Sequence, residues 1–270
     1  METNPQPGLG FDPTTGQLYP PQPLPADGKL LAPVWHTVLI VFLMLANSAG
    51  SAWLISHATS SSVSVSEKMR IAQYLATIAL ELFLLFLVWI GLRIGGTRVR
   101  DLVGGRWDTV EDFLLDVAIA FGFFVCAYIV IAGLSFGLGL AKPSQIGEAK
   151  KLANLLAPHT WIALLVFVSL SAIAGFVEEL IFRGYLQRQI AILSGKTYVG
   201  LVVSALIFGA GHGYEGARRM LLIFILGLMF GCLALWRKSL RPGMMGHALF
   251  DSAQGIILFV ATRTGMLQAS

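Results

Sequence analysis

The apolar residues of this chain are gathered into long runs almost free of charge, and that arrangement decides what it can fold into. A run of about 18 or more such residues matches a helix crossing the ~30 Å hydrocarbon core of a bilayer. Residues 34–55, 71–92 and 113–134 read this way, and further apolar segments follow at 161–189, 199–212, 220–236 and 244–261. Hydrophobic residues make up 56% of the chain and charged ones only 13%, against about 45–50% and about 25% in an ordinary soluble domain. Lipid is therefore the expected solvent. The expected fold is all-α: a polytopic membrane bundle of about seven transmembrane helices around a polar intramembrane cavity, the fifth helix short enough to be tilted or partly re-entrant.

The formal net charge is +4. In so apolar a chain a basic balance reflects Lys and Arg in loops facing anionic headgroups and the cytoplasm. No basic cluster with interleaved aromatics occurs outside the apolar runs, so no nucleic-acid partner is expected. Cys126 and Cys232 lie inside apolar runs without metal-ligand spacing and read as packing residues.

Residues 1–33 stand apart, with eight of the eleven prolines. Such a segment cannot bury a core and is expected as a disordered or polyproline-like tail. It lacks the charged start and short apolar region of a signal peptide, so the first span is expected to be retained. N-terminal transmembrane helices at 34–138 and a helical core at 157–262 complete the division, separated by a longer connection at 139–158. Placing the N-terminus inside puts eleven Lys and Arg on the cytoplasmic side against eight outside. That favours a cytoplasmic N-terminus in the cell membrane. No repeat of fixed period and no matching pair of broken helices is present, which lowers a transporter reading.

Chemistry concentrates in the C-terminal half. Glu178, Glu179 and Arg183 follow an apolar stretch. In a helix Glu179 and Arg183 share a face while Glu178 lies about 100° away, so one carboxylate can be held by the guanidinium while the other stays free. Ionisable groups at membrane depth cost roughly 2.5–3.5 kcal/mol each on insertion scales, and three within six residues call for a reason. A structural ion pair or a helix end at headgroup level would be one. Phe208 and His212 are spaced by four on the fifth segment, and His247 and Asp251 by four on the last. Three helices that each carry such groups are better explained by a common polar cavity. A carboxylate kept from bulk water can deprotonate a bound water, and histidines can share that proton or steady an oxyanion.

The ordered set Glu178-Glu179-x-x-x-Arg183, Phe208-x-x-x-His212 and His247-x-x-x-Asp251 resembles the CPBP family. That family takes in the type II CAAX prenyl endopeptidases, the bacteriocin-processing and immunity proteins, and the Abi group. The resemblance implies an intramembrane endopeptidase acting on a peptide or a lipidated, CAAX-like protein. By position, Glu178 matches the water-activating glutamate, His212 its partner, Glu179 and Arg183 a supporting pair, and His247 the oxyanion histidine. Asp251 stands where asparagine is usual. Ionised, it cannot donate to an oxyanion; protonated, it could, or it could orient His247.

Members of the family have been called both metalloproteases and glutamate-dependent proteases. Two histidines and several carboxylates could ligate zinc, but they would have to converge from three helices. A glutamate mechanism requiring no cofactor is favoured. Depth sets a condition: His212 lies on the order of 20 Å along its helix from residue 199. The groups meet only if the fourth helix continues past Gln187, setting Glu178 well inside the membrane, or if the fifth is steeply tilted. Unbroken helix-forming sequence through Gln189 favours the first. A non-catalytic immunity or scaffold protein, and a proton-coupled transporter using the same acids, are the alternatives.

Overall fold

The computed structural model describes residues 28–60, 66–140 and 143–267. The Pro-rich tail through residue 27 and residues 61–65, 141–142 and 268–270 lie outside the described residues. Among the described residues ten α-helices follow in order: α1 (Val34–Ser60), α2 (Glu67–Gly95), α3 (Val99–Val103), α4 (Val110–Gly137), α5 (Pro143–Leu156), α6 (Trp161–Glu179), α7 (Gln187–Ser194), α8 (Thr197–Gly211), α9 (Ala217–Arg237) and α10 (Arg241–Arg263). A π-helical stretch, Leu180–Leu186, joins α6 to α7, and a 3₁₀ turn, Gly213–Glu215, follows α8. Among the described residues there is no strand.

Six of these segments are long and apolar enough to cross a membrane, and α8 is a shorter apolar helix of 15 residues. At 1.5 Å per residue α8 reaches about 22 Å, less than a full hydrocarbon core. Side chains such as Phe42, Phe136 and Trp161 stand on the outside of the bundle, as lipid-facing residues do. The chain is an integral, multi-pass membrane protein.

Local sequence sets the helix ends. Ser66 accepts from Met69 N to open α2, and Thr160 accepts from Ala163 N to open α6. Thr109 and Asp112 form a reciprocal capping box at the start of α4. Between α6 and α7 nothing stops the helix; it widens for seven residues and runs on to Ser194. The fourth helix therefore does continue past Gln187, which sets Glu178 in the middle of a 34-residue span. The connection after α4 contains α5. Its last carbonyls are caught by Arg70, which donates to Asn154 O and Leu155 O, and by Tyr74, which donates to Leu156 O.

Lipid tails give helices no hydrophobic reason to associate, so close approach at small residues has to do the work. Gly175 is one such point: a Cβ there would sit 2.7 Å from Ala248 N and 2.8 Å from Met244 O. α6 thus lies against α10 with backbone touching backbone. Gly91 on α2 likewise admits the His36 ring of α1, which would stand 2.3 Å from an added Cβ. His36 donates through Nε2 to Leu87 O, so its Nδ1 accepts from the Tyr185 hydroxyl. α1 and α2 are thereby tied to the π-helical stretch.

Candidate active site

The site is assembled where α6, the π-helical stretch, α8 and α10 meet. Arg183 donates to Glu179 Oε1 at 2.8 Å, and both side chains are 1% exposed. The other arm of the guanidinium donates to Gly227 O on α9 at 3.1 Å, and the plane lies over the Phe208 ring at 4.4 Å. A buried ion pair holds only when its remaining hydrogen-bonding groups are answered. Here most of the guanidinium is. The expected division between a held carboxylate and a free one is realised, with Glu179 as the held one.

Glu179 has a second task. Its Oε1 also faces His247 Nδ1 at 3.1 Å. On the far side of the ring, His247 Nε2 stands 3.6 Å from Glu178 Oε2 and 3.6 Å from Asp251 Oδ2. These are ion-pair distances, too long for direct hydrogen bonds. The ring stacks on Phe230 at 4.9 Å. Glu178, Glu179 and Asp251 are therefore gathered around one imidazole, that of His247.

His212 ends α8. Its Nδ1 donates to Phe208 O at 2.9 Å, and its ring meets Phe208 edge-on at 5.0 Å. Phe208, 1% exposed, touches Phe182, His212, His247 and Arg183, and so locks the rings and the guanidinium against one another. Among the described residues no hydrogen bond or ion pair joins His212 to Glu178. Their link is Asp251, which lies in the field of His247, Glu178 and His212 together.

Two members of the site went unread in the sequence. Glu81, in the middle of α2, is 9% exposed and lies in the field of Glu178, His247 and Asp251. The signal was present: residues 71–92 contain no other charged side chain, and a lone acid in a span is a functional candidate by default. Tyr214 follows His212 in the 3₁₀ turn. Its phenol is pushed well above the usual range, first by burial and then by the carboxylates of Glu215, Glu178, Asp251 and Glu81. Its position could not have been read from spacing, because it depends on how the turn folds back. That turn is pinned by Ser48 of α1, which donates to Ala210 O at 2.8 Å and accepts from Gly213 N at 3.1 Å.

Three carboxylate oxygens of the cluster, Glu81 Oε2, Glu178 Oε2 and Glu179 Oε2, are buried without a hydrogen-bond partner. Buried acceptors of this kind are places for water or for the polar atoms of a substrate. Among the described residues no three His, Cys, Asp or Glu side chains are arranged to hold one metal ion. Residues 160–253 match the family model for Rce1-like type II CAAX prenyl endopeptidases.

Over those residues the chain is similar to that family. No curated protein and no solved structure matches the chain. The matched segment begins at the N-cap of α6 and ends within α10, so it holds every site residue expected from the sequence. Glu81 lies outside it.

Proposed function

We propose that this protein is an intramembrane endopeptidase that hydrolyses a peptide bond of a membrane-associated or lipidated, CAAX-like substrate. One observation carries the reading. A single imidazole, His247, faces Glu179 at 3.1 Å through Nδ1 and stands 3.6 Å from Glu178 and Asp251 through Nε2.

Glu178 is the base. Its Oε2 has no hydrogen-bond partner and is free to take a proton from water as the water oxygen attacks the scissile carbonyl carbon. His212 assists: with Nδ1–H committed to Phe208 O, its Nε2 carries the lone pair and holds the second hydrogen of that water. His247 is the oxyanion donor. Doubly protonated, it gives Nδ1–H to Glu179 and turns Nε2–H to the gap in which the carbonyl oxygen becomes negative. Asp251, 3.6 Å from the same Nε2, orients that ring. The proton on Glu178 then passes to the leaving amine as the C–N bond breaks. Arg183 and Phe208 hold Glu179 and the rings in place, and the route needs no cofactor.

The distribution of Lys and Arg supports a cytoplasmic N-terminus in the cell membrane.

The test uses the purified chain in nanodiscs with a fluorogenic CAAX peptide, farnesylated or bare. Glu178→Gln should lower cleavage by about 10²-fold or more, the range of a general base, with helical circular dichroism unchanged. Cleavage at the wild-type rate by that variant would sink the proposal.

A further inference from the structure

The widened turn Leu180–Leu186 lies between the site acids at the end of α6 and the helix α7, and its shape has no part in the reaction proposed above. π turns are rare and gather at functional sites. This one is answered from three neighbouring helices. Phe182 O accepts from Gln187 N, five residues on, and also from the Ser204 hydroxyl of α8 at 2.7 Å. Towards α9, Arg183 donates to Gly227 O at 3.1 Å and Gln187 donates to Gly231 O at 3.3 Å. Towards α1, Tyr185 and Gln189 bond to His36 and Thr37.

The bonds to α1 run in one direction. His36 Nε2–H donates to Leu87 O at 2.8 Å, so in the neutral ring Nδ1 accepts from the Tyr185 hydroxyl at 3.1 Å. The Tyr185 oxygen must then accept from Thr37, at 2.7 Å, and Thr37 in turn accepts from the Gln189 amide at 3.3 Å. His36, Thr37, Tyr185 and Gln189 are all buried. No solvent replaces a lost link there, and each polar group stranded costs about 1–3 kcal/mol.

Helix register is what these bonds hold. An α-helix advances about 100° per residue, so a π turn that closes to α geometry swings one flank against the other by about that angle. α7 cannot take the swing, being bonded to the segment before α1 through Gln189 and to α9 through Gln187. The swing falls instead on Glu178 and Glu179, and it draws Glu179 Oε1 away from His247 Nδ1.

We propose that Tyr185, held by His36 and Thr37 of α1, is a positioning residue: its hydroxyl keeps the turn wide and so sets Glu179 against His247. His36 and Thr37 lie outside residues 160–253. The catalytic meaning rests on the proposed protease reading, whereas the register does not.

Two readouts on the full chain in nanodiscs keep these apart. The first is the imidazole N–H magnetic resonance signal of His247 in protein with isotope-labelled histidine, assigned by its absence from His247→Gln. It should shift or vanish in Tyr185→Phe and in Thr37→Val, which removes the hydroxyl at nearly constant shape, and return to the wild-type position in Thr37→Ser. A wild-type signal in both Tyr185→Phe and Thr37→Val overturns the inference, whether or not the protein cleaves peptides. The second readout is cleavage of the peptide. In Thr37→Val kcat should fall about tenfold or more at unchanged KM, since a reacting group displaced by about 1 Å costs up to about 10²-fold, and Thr37→Ser should restore it. Equal kcat per folded molecule in Thr37→Val and Thr37→Ser makes the bonds to α1 a matter of stability alone and overturns the positioning role. A His247 signal that follows Tyr185 in a protein that cleaves nothing removes the protease reading and leaves the register as placed here.

Discussion

Glu179 Oε1 accepts from Arg183 at 2.8 Å and faces His247 Nδ1 at 3.1 Å, so one carboxylate oxygen fastens α10 to the π-helical stretch. Removing Arg183 leaves that oxygen buried beside an imidazole alone. Arg183→Leu should destabilise the protein by about 3–5 kcal/mol, the usual result of stripping one partner from a buried pair. Arg183→Lys should recover little, because a lysine cannot reach Glu179 and Gly227 O together or lie flat on Phe208. Thermal unfolding in detergent checks both, and a fully stable lysine variant would show that the second arm of the guanidinium is idle.

The distance between Glu178 and His247 is set by a glycine. Gly175→Ala places a methyl 2.7 Å from Ala248 N, and backbone cannot turn aside as a side chain can, so α10 has to move. A shift of about 1 Å at a reacting group costs on the order of 10²-fold in rate. Peptide cleavage should fall by that much while the helix content of the protein holds. Gly133→Ala is the control, since nothing lies within 4 Å of a Cβ there. Equal activity in the two variants would count against the packing argument.

Ser48 links α1 to the turn bearing Tyr214. Ser48→Ala removes a donor to Ala210 O and an acceptor for Gly213 N, at a cost of about 1 kcal/mol per bond. The effect should be local. Hydrogen exchange at Gly213 and its neighbours should quicken, while amides in the middle of α6 exchange as before. Uniform acceleration across both regions would mean that Ser48 supports the whole bundle.

Helix positions were legible because the alternation of apolar runs and polar loops is a property of the chain itself. The bounds moved outward by only a few residues, as at α2, expected over 71–92 and found over Glu67–Gly95. The gathering of Glu178, Glu179, His247 and Asp251 was legible for the same reason: spacing by four fixes a face, and three apolar helices leave few places to bury it. What the sequence withheld depends on contacts between distant segments. The widening at Leu180–Leu186 has no proline or glycine pair to announce it. α5 is held by Arg70 and Tyr74 from another helix. The imidazole in ion-pair range of Glu178 is His247 on α10, which only the closeness of Gly175 to Ala248 decides.

Gln189 makes a last, separable prediction. It is fully buried on α7, its side-chain oxygen accepts from Leu31 N at 2.8 Å, and its amide donates to Ala32 O at 2.7 Å. Leu31 and Ala32 are themselves buried, so both backbone groups lose their partner if the amide goes. Each orphaned group costs about 1–3 kcal/mol, and the segment can escape that cost by lifting away, since α1 stays anchored through His36 and Tyr185. Gln189→Leu should therefore expose residues 28–33 to limited proteolysis with little change in the unfolding temperature of the bundle. Gln189→Glu keeps an acceptor for Leu31 N but loses the donor to Ala32 O, and its cleavage rate should fall between the two. One rate for all three proteins would mean that the segment before α1 is held by something other than Gln189.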